Sequence, residues 1–225
     1  MNINAIHTAI KTVIKNHSHA FFQLGSSQSK LLELGSIVGT AEHFKSLGYS
    51  ISVVNPVGKT DFIAKVGTRG FPWNFSHILV SNGSRHFELH MNLTVRSAHD
   101  QGVYCVDVGV AELGSVPSAP GTVPWICIDN HHLHSFAEAK KLVIYPMLLA
   151  QFIGIVHEIK PEYLNPHIII NSQLPPTLIS IGHYSGNSQN IAASFVTRGF
   201  NILIAENFDH RLSMVNLGMK SSPFT

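Results

Sequence analysis

The sequence predicts an α/β fold in which a mixed β-sheet is flanked by helices. Three observations point there. Two long segments, residues 86–95 and 103–111, alternate apolar and polar residues with the period of a strand. A helical pattern of apolar residues precedes them. A second apolar helix follows them, and beyond it strands and helices alternate.

The elements follow in chain order. Residues 3–15 place Ile3, Ile6, Ile10, Val13 and Ile14 on one helical stripe, closed by Gly25-Ser26-Ser27. A second helix is expected from about Ser29 to Leu47, capped by Ser29 or Ser27 and stopped by Gly48. Its apolar stripe is Leu31, Leu34, Val38, Ala41 and Phe44. Tyr49–Val54 reads as a strand, Asp61–Val66 as another short one, and residues 70–74 as irregular. Ser76–Val80 leads into Asn82-Gly83, a strong hairpin signal.

The long strand that follows puts Phe87, Leu89, Met91, Leu93 and Val95 on one face, and Glu88, His90 and Asn92 on the other. Its neighbour puts Tyr104, Val106, Val108 and Val110 on one face, and Cys105, Asp107, Gly109 and Ala111 on the other. Residues 112–124 form a loop. His134–Leu142 is the next strand, and Tyr145–Ile159 a buried helix with Pro146 in its first turn. Thr177–Ile181, Ser188–Thr197 and Phe200–Ala205 complete the order as strand, helix and strand.

Composition narrows the class. The chain has 225 residues, 44% hydrophobic and 12% charged, enough for a sizeable core and unlike a disordered chain. It is read as one domain over residues 1–225 with an N-terminal helical extension over about 1–25. Net charge is +2 with 15 His neutral, too mild to announce a nucleic-acid binder by itself. Cys105 and Cys127 lack the spacing of a zinc knuckle and read as small reduced residues. The N-terminal stretch, broken by Lys11, Lys15 and three His, is no signal peptide. The longest apolar stretch, Leu142–Val156, contains Pro146 and Gln151 and falls short of the roughly 20 residues of a membrane span. A cytoplasmic protein without a membrane partner is expected.

Two features carry chemistry. Asp107 lies within an otherwise apolar strand, where a carboxylate is costly without a partner, and its same-face neighbours Cys105, Gly109 and Ala111 are small. Glu138 and Lys140 are two apart on a strand and share a face. If those strands are neighbours, Asp107 and Glu138 can share a hard cation through oxygen ligands. Lys140 then holds a phosphate oxygen or orients an attacking water.

The run Cys105-Val106-Asp107-Val108, followed after a longish loop by Phe136-Ala137-Glu138-Ala139-Lys140 and a helix, resembles the PD-(D/E)xK nuclease superfamily. No Pro precedes Asp107. The resemblance implies a restriction-endonuclease-like α-β-β-β-α-β core over residues 29 to about 205. It also implies a Mg²⁺-dependent endonuclease, with Mn²⁺ as an in vitro substitute, cutting nucleic acid, DNA before RNA, in restriction, phage defence or repair. On that reading Asp107, Glu138 and Lys140 are catalytic, and Asp107 and Glu138 hold the metal with Glu33. Glu88 is the substitute for Glu33, and Gln151 a further substrate contact. Many relatives dimerise, and the N-terminal helix offers a homodimer interface or simply packs on the core.

Plainer readings stand beside these. Glu138 and Lys140 also suit a surface strand pair, Asp107 a structural ion pair, and Glu33 an acidic residue favoured by a helix N-terminus. Glu88 and His90 suit a polar sheet face. A catalytically inactive binding or assembly module on the same fold is the main alternative function. His131, His132 and His134 invite a zinc hydrolase, but HExxH is absent and exposed loop histidines fit better. His157 reads as a core histidine, and Trp73 and Trp125 as anchors. No P-loop, GxSxG or GxGxxG occurs.

Overall fold

A computed structural model of the chain describes residues 28–120 and 127–208. The helix expected over residues 3–15, Ser27 as a cap, and Trp125 lie outside the described residues.

The first described helix, α1, spans Gln28–Ser46. Leu32, Ile37, Ala41 and Phe44 are its most buried apolar side chains, so the stripe is turned slightly from the expected Leu31/Val38 line. Gly35, Ser36, Gly39 and Thr40 are buried too, and their small size brings the helix close to the sheet. Ser36 and Thr40 satisfy their hydroxyls on the carbonyls of Leu32 and Ser36, 2.8 and 2.9 Å away. Gly48, at φ +87°, provides the left-handed turn that ends the helix.

Seven strands follow: β1 (Ser50–Val54), β2 (His77–Ser81), β3 (His86–Arg96), β4 (Val103–Glu112), β5 (Leu133–Lys140), β6 (Thr177–Ser180) and β7 (Leu203–Ala205). They form one sheet in chain order. β1 to β5 run as an antiparallel meander, and β5, β6 and β7 are parallel. The parallel pairs require crossovers, which α2 (Pro146–Ile159) and α3 (Ser188–Thr197) supply. Asp61–Val66 is not a strand; residues 55–71 are irregular, tied down by Ser76, whose N–H reaches the Ile63 carbonyl and whose hydroxyl receives the Ile63 N–H.

One apolar layer joins α1 to Leu89, Met91, Val108, Val110, Ala137 and Ile179. The other joins α2 and α3 to Leu93, Val95, Val106, Phe136 and Leu178. Phe136 and Phe152 meet edge to face in that second layer, their rings 6.3 Å apart. Burying such a side chain stabilises by roughly 1.5–3 kcal/mol. Among the described residues no helix is long and apolar enough to cross a membrane.

The two layers correct the expected single-face alternation. Met91 packs with α1, whereas Leu93 packs with α2. Val106 and Val108 divide in the same way. The phase changes at Asn92, whose φ of +49° turns the chain by one residue, a conformation Asn tolerates better than most. β4 changes phase opposite it, at Asp107, so the register Met91↔Val108 and Leu93↔Val106 is preserved.

Leu93, swung to the α2 side, lies over Gly109. A Cβ built on Gly109 would sit 2.5 Å from Leu93 Cδ2 and 2.9 Å from its Cβ. The space left by the small Gly109 is therefore filled by the Leu93 side chain. Gly109→Ala is expected to cost about 1–3 kcal/mol through overpacking, read as a lower urea midpoint with an unchanged slope.

Candidate functional site

β4 and β5 pair through Val108↔Ala137, and the pairing goes no further in that direction. Continuing that register places Asp107 opposite Glu138, where the two strands part. Like charges facing each other across a sheet are destabilising, so something positive has to lie between them. Lys140 does. Its Nζ donates to Glu138 Oε2 at 2.7 Å and to Asp107 Oδ2 at 3.1 Å. The Ala139 N–H donates to the same Asp107 oxygen at 2.8 Å.

The Glu138 side chain is only 5% exposed, and its second oxygen, Oε1, is buried without a hydrogen-bond partner. Burial and then the Asp107 charge push its carboxyl up to about 7, against the pull of Lys140. Burial works against the charge on Lys140, but the Glu138 and Asp107 carboxylates outweigh it and hold the ammonium well above its ordinary range. The Lys140 side chain remains one-third exposed, so the cluster opens to solvent on the lysine side.

Glu33 joins from α1. Its Oε2 accepts from Asn92 Nδ2 at 3.1 Å, and its carboxyl is raised by burial and, more weakly, by the Asp107 charge. The structure therefore brings Glu33, Asp107, Glu138 and Lys140 into one electrostatic neighbourhood. Glu138 Oε1 without a donor, the facing Asp107 carboxylate and the nearby Glu33 make this neighbourhood rich in acceptor oxygens, two of which the Lys140 ammonium already occupies, and these oxygens could serve a hard cation.

The other candidates lie elsewhere. Glu88 pairs in register with Ala111, well along β4 from Asp107, and its carboxylate is taken up by His90 Nε2 at 3.1 Å and the Gly114 N–H at 3.2 Å. It does not replace Glu33. Both Glu88 and His90 are buried, so they form no solvated polar face. Gln151 is exposed on α2. His131 and His132 lie on a 3₁₀ turn, with His132 on Glu112 at 3.1 Å. His134 instead stacks on Phe87 at 4.4 Å, and burial drops its imidazole to about 4. The three histidines form no common site. His157 is exposed and stacked on His99 at 4.7 Å, and is no core histidine. Trp73 stacks on Phe71. Both cysteines are free thiols, and burial pushes Cys105 up to about 11, unlike a reactive cysteine.

Sequence reasoning missed Lys65 and Asn92. Lys65 is buried, and its Nζ donates to the Asn92 carbonyl at 2.6 Å. Asn92 Nδ2 donates to the Lys65 carbonyl at 2.8 Å as well as to Glu33. This network fixes Glu33 over the strand break. The available signals were an Asn amid an otherwise regular strand and a lone Lys after Phe62-Ile63-Ala64.

No protein-family model matches the chain, and no curated protein and no solved structure is significantly similar to it. The fold and the site geometry therefore carry the functional reading by themselves.

Proposed function

We propose that the chain is a divalent-cation-dependent phosphodiesterase acting on nucleic acid, with Asp107, Glu138 and Lys140 at its active site. The observation that carries this reading is the buried, unpartnered Oε1 of Glu138, directly across from Asp107 and beside a lysine that touches both carboxylates. Buried carboxylate oxygens are usually hydrogen-bonded, so a bare one beside a second carboxylate leaves room for a further partner such as a cation. The element order lends support: with β1 and β2 intervening after α1, the antiparallel β3–β4–β5, α2 and then β6 parallel to β5 contain the α-β-β-β-α-β order expected of restriction-endonuclease-like nucleases.

Asp107 and Glu138 would hold Mg²⁺, or Mn²⁺ in its place, with Glu33 close by. When bound, the cation polarises the phosphoryl oxygens and favours attack by water. Lys140, protonated and partly exposed, donates to a phosphate oxygen or positions the attacking water, and steadies the charge that builds on the phosphate. The Asn92–Glu33 hydrogen bond orients the third acid. DNA is the preferred substrate on this reading, and a homodimer would present two such sites to two strands.

The direct test is incubation of the full chain with plasmid or single-stranded RNA in Mg²⁺ or Mn²⁺. Cleavage by the wild type that stops with chelator and with Asp107→Asn is the expected result. Cleavage that Asp107→Asn leaves unchanged, or none by the wild type on either substrate, overturns it.

A further inference from the structure

We propose that His77, Glu88 and His90 form a second metal site, separate from the Asp107–Glu138 cluster, which takes a borderline divalent ion of the zinc type. The β2–β3 register Ile78↔Leu89 continues to His77 opposite His90, and Glu88 lies two residues from His90 on the same strand. Two imidazoles and one carboxylate thus converge from adjacent strands. One donor atom from each lies within 4.8 Å of the others. Zinc bonds of about 2.0–2.2 Å in a tetrahedron set ligand atoms roughly 3.3–3.6 Å apart, so small rotations of the three side chains would close the site.

A simple His90–Glu88 ion pair accounts for only part of this. The ion pair does not involve His77, whose ring lies against His90 from the facing strand, with centroids 4.6 Å apart and planes 22° from parallel. Two stacked imidazoles cannot both carry protons without repulsion, whereas neutral imidazoles sharing a cation can lie that way. Glu88 is also oriented from behind. The Gly114 N–H holds Oε1, leaving Oε2 toward the histidines, the kind of outer hydrogen bond that fixes a metal-binding carboxylate. Glu88 and His90 are buried, and the half-buried His77 leaves an approach for the ion. Two nitrogens and one oxygen favour zinc, cobalt or nickel over magnesium, and three protein donors leave a fourth position for water. The site would tie β2 and β3 to the loop after β4. It does not depend on the phosphodiesterase reading.

The test is titration of the metal-free full chain with Zn²⁺ and Co²⁺ in excess Mg²⁺, by calorimetry and by the visible absorption of four-coordinate cobalt. An Asp107→Asn, Glu138→Gln background removes the other carboxylates from the count. One equivalent is expected to bind in the wild type and in that background. His77→Ala and Glu88→Gln are expected to weaken it on the order of 100-fold or more, since outer partners alone are worth 10–100-fold. His77, the most accessible of the three, gives the variant least disruptive to folding. Absence of zinc binding in the wild type, or binding unchanged in both His77→Ala and Glu88→Gln, overturns the proposal.

Discussion

Lys140→Ala is expected to lower Mg²⁺-dependent strand cleavage on the order of 10²–10³-fold, the usual cost of removing one well-placed charge or donor from a transition state. Glu138→Ala is expected to abolish it to the same degree or further, because that change also removes a cation ligand. The two differ in metal binding. Lys140→Ala leaves Asp107 and Glu138 facing each other without the ammonium that touches both, so its affinity for Mg²⁺ should hold or rise while turnover falls. Glu138→Ala should lose binding and turnover together. Lys140→Arg keeps the charge but not the compact ammonium fitted between the carboxylates, and rescues only partly. Plasmid nicking under single-turnover conditions, with Mn²⁺ affinity measured alongside, reads all three. Equal cleavage by wild type and Lys140→Ala would remove Lys140 from the mechanism.

Glu138→Gln is expected to make the metal-free protein more stable than wild type at pH 8. The Glu138 carboxyl is raised from 4.5 to about 7 by burial first and by Asp107 second. In the unfolded chain it titrates near its ordinary value of roughly 4.3. Between these values the folded state holds a proton that the unfolded state has released, so stability falls as pH rises through that window and levels off above it. Below the unfolded value both states are protonated and the stabilising difference is fully present. The neutral amide does not titrate, so the variant gains about 1–3 kcal/mol over wild type between pH 5 and pH 8 in chelator. Saturating Mg²⁺ should reverse the order at pH 8, because it binds and stabilises only the chain that keeps its carboxylate. Urea unfolding at the two pH values, with and without Mg²⁺, checks the crossover. A wild type as stable as Glu138→Gln at pH 8 in chelator would show that Glu138 carries no such burden.

Both predictions rest on residues that were legible in the sequence. Glu138 and Lys140 share a face because strand side chains repeat every two residues, and Asp107 stood out as a carboxylate inside an apolar strand. Most strand and helix limits were legible for the same reason, as at Ser188–Thr197 and at Pro146, which opens α2. Where an element failed, the signal was ambiguous locally. Asp61–Val66 is a short apolar run of the kind a strand also shows, but it pairs with no strand of the sheet.

The face of each strand was less legible than its existence. Strict alternation put Met91 and Leu93 together, and one left-handed Asn92 separates them. That single residue decides that Leu93 covers Gly109 and that Asp107 sits at a break. Glu88 was placed beside Asp107 as a substitute ligand; its pairing with Ala111 sends it instead to His90 and His77. His134 is close in sequence to His131 and His132 but stacks on Phe87 away from that ring pair, whereas His77 and His90 are distant in sequence and stacked.

By itself, the sequence determined the α/β class, the hairpin at Asn82-Gly83, the two crossover helices and the identity of the Asp107, Glu138 and Lys140 cluster. These follow from periodicity and turn chemistry, which act over a few residues. Only the tertiary structure decided the bare oxygen of Glu138, the recruitment of Glu33 through Asn92 and Lys65, and the gathering of His77, Glu88 and His90. Those depend on register and burial, set by pairings between segments far apart in the chain, where a shift of one residue turns every side chain to the other face.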